Sequence, residues 1–360
     1  AVNKEPTLKD LNKRSLMQIN LLRRIHRANG HLNFRDCTDI LRGMGIAMID
    51  VKWNKVCPTC AAHGSERRAG RLNASLMAPR ANQFGERVHA DTFHWKDSPS
   101  RDGCNYAIVF VDDYSRSLQV YGVKSGSALD AAKAFTTYVT EHLGGRYPRS
   151  IQTDEGTEFM GDFTSLCQSH SIKHTTSPPH HPNSNMIERY VRIVKTMTKK
   201  MMADVPDIPP TLWLHCAHHA CFLKNIHPTN ANPARSSPHV RIHGELGAAE
   251  VRFAMAKLQP FGNRVRVHNH DTRTGDLGTY IGVHAGSMCP TILKDNGRVV
   301  HSTDVIFIAS VPFDEGFNDF VSPTDCGSTS DPALEEDDHA DHHVIPPSVE
   351  LTPTTTTYEG

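Results

Sequence analysis

Apolar and polar positions alternate in four different ways along this 360-residue chain. Residues 1–75 follow a helical period and carry a set of Cys and His. Residues 85–235 mix two periods. Arg87-Val88-His89-Ala90-Asp91, Tyr106-Ala107-Ile108-Val109-Phe110-Val111 and Ser117-Leu118-Gln119-Val120-Tyr121-Gly122-Val123 read as strands, the last two flanking a polar turn at Asp112–Arg116. That predicts a hairpin. Ala128 to Leu143 reads as a helix with Ala131, Ala134, Phe135, Tyr138 and Val139 on its apolar side. A strand ending in Asp154, a short helix near Asp162–Ser171, a strand near Ile172–Thr176 and a helix from Ile187 come next. The order β-β-β-α-β-α-β-α predicts an α/β fold with a mixed sheet flanked by helices.

Residues 250–310 predict a small β module, with strands at Arg264–His268, Gly278–Val283 and Val299–Ile308. Residues 311–360 are acidic and rich in Pro and Thr, and lack the apolar content that would offset ordering entropy, so a disordered tail is expected. No internal repeat is present.

The helix from Ile187 has two informative faces. Ile187, Tyr190, Val191, Val194, Met197 and Met201 form a core stripe. Glu188, Arg192, Lys195 and Lys199 recur at the same spacing on another face. An i,i+4 ion pair explains Glu188 with Arg192, but not the later cations, which lack acidic partners on the stripe.

Charge changes the picture only when it is divided by region. The formal net charge is zero, yet residues 311–360 hold twelve of the 39 acidic residues and no Lys or Arg. Residues 1–310 therefore carry 39 basic against 27 acidic side chains, a net of +12. Residues 1–90 alone hold sixteen basic and seven acidic. A basic body fits a polyanionic partner or a solvated basic surface. No apolar run of about 18 residues exists, so a membrane span is not expected. Nine cysteines, an odd number, fit a reducing intracellular compartment and metal-bound thiolates better than a disulfide framework. The chain has neither a starting Met nor an apolar signal core, which fits a processed or fragmentary end.

Two sets of residues suggest metal chemistry. Cys57 and Cys60 form a Cys-x2-Cys knuckle, and His26 with His31 completes four N/S ligands suited to one structural zinc. Cys37 and His63 stand as alternative ligands. Asp91, at the end of a strand pattern, Asp154, ending another, and Glu188, on a facing helix, make the carboxylate set that a pair of hard divalent cations needs at a phosphodiester. Two other clusters are weaker. Asp112-Asp113 fits a turn cap, though either residue could lie near the metals. His215, Cys216, His218, His219 and Cys221 lie on one helix, cannot all face one ion, and fit a packed helix with surface histidines.

Together these stretches resemble the integrase of copia-type LTR retrotransposons and, more distantly, retroviral integrases. The resemblance is carried by Ile25-His26-Arg27-Ala28-Asn29-Gly30-His31-Leu32-Asn33, Val56-Cys57-Pro58-Thr59-Cys60, Val88-His89-Ala90-Asp91 and Phe110-Val111-Asp112-Asp113-Tyr114-Ser115-Arg116. It continues in Thr153-Asp154-Glu155-Gly156-Thr157-Glu158-Phe159, Ile187-Glu188-Arg189, Leu212-Trp213, Pro260-Phe261-Gly262 and the Gly278–Val305 segment. One departure precedes the glutamate: His181-Pro182-Asn183-Ser184-Asn185-Met186 stands where the family has a Gln-rich, Gly-ending turn, and Asn185 suits the left-handed position.

The resemblance implies an RNase H-like five-stranded core at 85–235, a helical HHCC zinc-binding domain at 1–75, and a β module at 250–310. It implies that Asp91, Asp154 and Glu188 form a D,D,E triad, with 33 residues between the last two, holding two Mg2+ or Mn2+ ions. His26, His31, Cys57 and Cys60 would hold one structural Zn2+. Arg189, Arg192, Lys195 and Lys199 would contact DNA. The implied activity trims element DNA 3' ends and joins them to target DNA, in a homo-oligomer acting in the nucleus. A catalytically idle DNA-binding or assembly protein and an RNase H-like nuclease are the alternatives.

Overall fold

A computed structural model describes residues 13–43, 46, 57–63, 79–176, 186–205, 207–269, 274–284 and 286–308. The predicted acidic tail and the His181–Asn185 turn lie outside the described residues.

The N-terminal segments form α1 (Lys13–Ala28), α2 (Phe34–Gly43) and α3 (Pro58–His63). Leu22, Cys37 and Leu41 make a small core between α1 and α2. This unit is packed against the rest of the chain. Ala28 is buried in the main core, and the Asn29 Oδ1 lies 2.7 Å from His227 Nε2. Gly30 takes φ +64°, and a Cβ there would stand 2.7 Å from the Met197 methyl and 3.0 Å from Leu223. Both the left-handed backbone and the close approach require glycine. Gly30→Ala is expected to cost about 1–3 kcal/mol through strain and overpacking. A thermal melt within 1 °C of wild type would contradict that account.

The central sheet holds β1 (Arg87–His94), β2 (Tyr106–Asp112), β3 (Leu118–Val123), β4 (Ser150–Thr153) and β5 (Lys173–Thr176). Their spatial order is β3-β2-β1-β4-β5. The hairpin and β1 are antiparallel, whereas β4 and β5 run parallel to β1. That topology is RNase H-like. Strand alternation divides the core in two. Val88, Ala90, Ile108, Phe110 and Ile151 meet α4 (Ala128–His142) and α5 (Gly161–Ser169). Phe93, Val109 and Val111 face α6 (Met186–Ala203) and α7 (Trp213–Ile226). Trp213 is fully buried, stacked on Trp95 at 5.3 Å. Ser127 caps α4 by accepting from the Asp130 N–H.

Three features depart from the sequence reading. α8 (Pro238–Lys257) was not foreseen, because its two segments meet at Gly244, at φ +60°, and share no single apolar stripe. The stretch Val299–Ile308 is two strands rather than one, β9 (Val299–His301) and β10 (Val305–Phe307). A further strand, β8 (Cys289–Lys294), was also missed; with β6 (Arg264–Asn269) and β7 (Thr274–His284) it completes an antiparallel sheet ordered β10-β6-β7-β8-β9. β9 and β10 occupy opposite edges, and four Cα steps between them reach about 14 Å at most. The sheet is therefore strongly curled, around Val265, Val267, Tyr280 and Ile292.

Candidate active site and metal cluster

Asp91 lies in β1 opposite Val109 of β2, on the α6 side of the sheet. The parallel pairing sets Val88 beside Ile151 and His89 beside Gln152. Carried two residues further, that register sets Asp91 beside Asp154, where β4 ends. α6 crosses β1, with the Lys195 ammonium 5.6 Å from the centre of the Phe93 ring, and presents Glu188 from its first turn. The three carboxylates thus converge from β1, β4 and α6.

Glu158 joins them, and sequence reasoning did not single it out. A Cβ on Gly156 would lie 2.6 Å from the Glu158 carboxylate and 2.9 Å from Asp154 Oδ1. Both carboxylates crowd over Gly156, whose lack of a side chain leaves them room there. The Gly156 N–H donates to Asp154 Oδ1 at 3.0 Å, and the Thr92 N–H to Asp91 Oδ1 at 2.7 Å. In the sequence Glu158 is marked only by its position four residues after Asp154 and its place in the Thr153–Phe159 stretch.

Burial first, then the charges of Asp154, Glu188 and Glu158, push the Asp91 carboxyl up to about 7. Burial also raises Glu188, with Arg192 opposing and Asp154 adding to the shift. Carboxylates that raise one another's proton affinity form a site that a divalent cation relieves. The residues present therefore fit a hard cation.

The titration has a consequence for stability. In the unfolded chain Asp91 returns to its ordinary 3.8, so the folded state holds the extra proton between about pH 4 and 7. Stability of the protein without divalent cation must then fall as pH rises through that window. Asp91→Asn is expected to raise stability by about 1–3 kcal/mol at pH 8, and the gap should narrow by pH 5 and close below about pH 4. Melting curves at both pH values check this; a gap that widens toward pH 5 would refute it.

A groove of about 280 Å³ runs from the acidic site along α6, lined by Asp91, Glu188, Val191, Arg192, Lys195, Thr196 and Lys199. The predicted basic stripe is therefore its wall. Arg189 is exposed but does not line the groove; its charge acts on Tyr190 and Lys224 instead. In the core stripe, Thr198 is buried where sequence suggested only apolar residues, and Tyr190 and Met197 are half-buried.

The Asp112-Asp113 pair has a different role. Asp112 accepts from the Gly85 and Ser115 N–H groups and the Ser115 hydroxyl. Asp113 accepts from the Ala81 N–H and pairs with Arg87 and Arg116. Burial opposes its charge, but His89, the Ala81 N–H and Arg116 outweigh burial and hold Asp113 well below the usual carboxylate range. These residues fasten the β2–β3 turn. On α7, His218 is exposed and His215 half-buried, but His219 is buried between Phe222, Phe261 and Tyr280. The expectation of surface histidines fails for His219, which joins the core to the β module.

His26, His31, Cys57 and Cys60 bring one ligand atom each to within 4.8 Å of one another. His31 Nδ1 is 3.6 Å from both thiols and 3.2 Å from His26 Nε2, which is 3.5 Å from Cys60. Zinc bonds of about 2.0–2.3 Å give tetrahedral edges of about 3.3–3.8 Å, so this donor set fits one Zn2+. A hydrogen bond from Cys60, then those from His26 and His31, hold the Cys57 thiol far below its ordinary range. The alternative ligands are elsewhere. Cys37 is buried, bonded to the Leu32 carbonyl and pushed up to about 12 by burial; His63 is exposed. None of the eight described cysteines forms a disulfide. Among the described residues no helix is long and apolar enough to cross a membrane.

Residues 81–182 match the integrase core domain family. The chain is 25% identical over 207 residues to the retrovirus-related Pol polyprotein from transposon TNT 1-94 of Nicotiana tabacum, covering 57% of this chain and 15% of the relative. It is 31% identical over 165 residues to the Pol polyprotein from transposon RE2 of Arabidopsis thaliana, covering 45% and 11%. The same identity holds over 168 residues with the Gag-Pro-Pol polyprotein of human T-cell leukemia virus 2, again 45% and 11%. The chain thus spans 11–15% of the length of these curated relatives. Among solved structures, the HTLV-2 integrase catalytic core domain with magnesium aligns with TM-score 0.36 at 24% identity, over 46% of this chain and 99% of that one. A simian T-cell lymphotropic virus intasome aligns with TM-score 0.40 at 18% identity, over 78% and 92%. Residues 81–182 therefore carry an integrase core domain, within a chain similar to the Pol polyproteins of plant transposons.

Proposed function

We propose that this protein trims the 3' ends of element DNA and joins them to target DNA. The convergence of Asp91, Asp154 and Glu188 at the head of a cationic groove carries the reading. When bound, two divalent cations supply the Lewis acidity that activates water or a 3'-hydroxyl and stabilises the departing oxygen. Asp91, Asp154 and Glu188 would hold them, the first two set by the β1–β4 register and the third by α6. Glu158 adds negative charge beside Asp154. Arg192, Lys195 and Lys199 bind the phosphates of the DNA end and direct the scissile bond toward the carboxylates. The Cys/His cluster, with no ligand position left open, is structural.

In this reading 1–75 is the zinc-binding region, 85–235 the catalytic core, 250–310 a β module and 311–360 an acidic tail. Joining two ends requires an oligomer, with the nucleus as its place of action. Sedimentation of the DNA complex tests the oligomer, and a single protomer per joined product would refute it. For the groove, Lys195→Ala and Lys199→Ala should each weaken DNA binding across sequences and reduce the salt slope by about 1. An unchanged slope in both would remove the groove from the DNA path.

A further inference from the structure

We infer that Asp204 positions His31 for metal binding and fastens the Cys/His cluster to the end of the helix that carries Glu188. The inference rests on the reading of that cluster as a metal site. Asp204 comes directly after the last residue of α6, its N–H bonded to the Lys200 carbonyl at 3.0 Å. A carboxylate is unfavourable at a helix C-terminus, where the backbone carbonyls already concentrate negative charge. The partners of Asp204 lie instead in the N-terminal unit. Its Oδ2 accepts from the Arg27 guanidinium and lies 3.7 Å from His31 Nε2, while its Oδ1 accepts from the Thr59 hydroxyl at 3.2 Å. Arg27 is the residue after His26, and Thr59 lies between Cys57 and Cys60. One side chain from the end of α6 therefore faces the ligand His31 and bonds the residue after His26 and the residue before Cys60.

The two histidines present different nitrogens to the cluster. His26 turns Nδ1 to the Leu32 carbonyl at 2.6 Å and leaves Nε2 toward Cys60. His31 turns Nδ1 to the thiols and Nε2 toward Asp204. A ring nitrogen that binds metal needs its lone pair, so the proton goes to the other nitrogen and seeks an acceptor. For His26 the acceptor is backbone. For His31 the facing group is the Asp204 carboxylate at the end of α6, 3.7 Å from Nε2, an ion-pair distance at which its negative charge favours the proton on Nε2 and leaves the Nδ1 lone pair for metal. Metal binding to the N-terminal unit and anchoring of the C-terminal end of α6 are thereby one event.

Zn2+ affinity, measured on the full chain by competition with a chromophoric chelator, tests this with a readout independent of DNA chemistry. Asp204→Asn keeps the shape and the Thr59 contact but loses the charge, and is expected to weaken Zn2+ by about 10–100-fold. Co2+ substitution at saturation should still give the tetrahedral two-thiolate spectrum, showing that the ligands themselves are intact. Asp207→Asn, an exposed acid three residues on, should match wild type. Wild-type protein that binds no Zn2+ would overturn the metal site itself. Wild type that binds one Zn2+, with Asp204→Asn and Asp204→Ala both within twofold of it, would overturn only the role of Asp204. Arg27→Ala, which leaves His31 and Asp204 in place, should fall between.

Discussion

Asp154→Asn is expected to lower DNA joining by at least about 10³-fold while leaving the fold and DNA binding close to wild type. Replacing a carboxylate by an amide removes charge from the cation site, whose Lewis acidity contributes several kcal/mol, and each 1.36 kcal/mol is tenfold in rate. The exchange is nearly isosteric. Asp154 lies at the end of β4, outside both core clusters, so no packing is lost. The Gly156 N–H keeps an oxygen acceptor in the amide. Binding should persist because Arg192, Lys195 and Lys199 remain. Joining assays and filter binding on the same preparation separate the two effects. Loss of binding in parallel with joining would mean that the residue holds the fold instead.

The second large effect concerns the Cys/His cluster. Removing its metal, or changing Cys60→Ser, is expected to unfold the N-terminal unit and lower the melting temperature of the whole described body. The core made by Leu22, Cys37 and Leu41 joins only α1 and α2, is too small to hold the unit alone, and includes no residue of α3. Structural zinc in small units contributes apparent binding free energies of about 10–16 kcal/mol, most of which appears as folding free energy. The loss should spread, because Ala28, Asn29 and Gly30 are packed on α6 and α7. Calorimetry with and without chelator, with Zn2+ restored afterwards, checks the effect. A transition unmoved by chelation would show that the four ligands serve no metal.

The central sheet was legible because β1, β2 and β4 alternate or run apolar in register with their two buried faces. The helix from Ile187 was legible because one period placed both its core stripe and its cations. The Cys/His set was legible from ligand spacing; in the structure His26, His31, Cys57 and Cys60 lie together, while Cys37 is buried in the helical core. Other features depend on distant parts of the chain. Glu158 belongs to the acidic site only through the turn at Gly156, which folds its carboxylate back over Asp154. Asp204 reaches the Cys/His cluster across 173 residues of sequence from His31, and no local pattern encodes that contact. His219 looked like a surface residue because polar type outweighs periodicity in a sequence reading, whereas three aromatic rings enclose it. The break between β9 and β10 is set by pairing to opposite sheet edges, which an unbroken β-branched run conceals.

The most direct test of the account incubates the full chain with Mg2+, end-labelled element DNA and an unlabelled circular target, then sizes the labelled products. The account predicts labelled strands joined to the target, dependent on the divalent cation and lost in Asp91→Asn, Asp154→Asn and Glu188→Gln. DNA that is bound but unchanged, or cleaved and never joined, would contradict it.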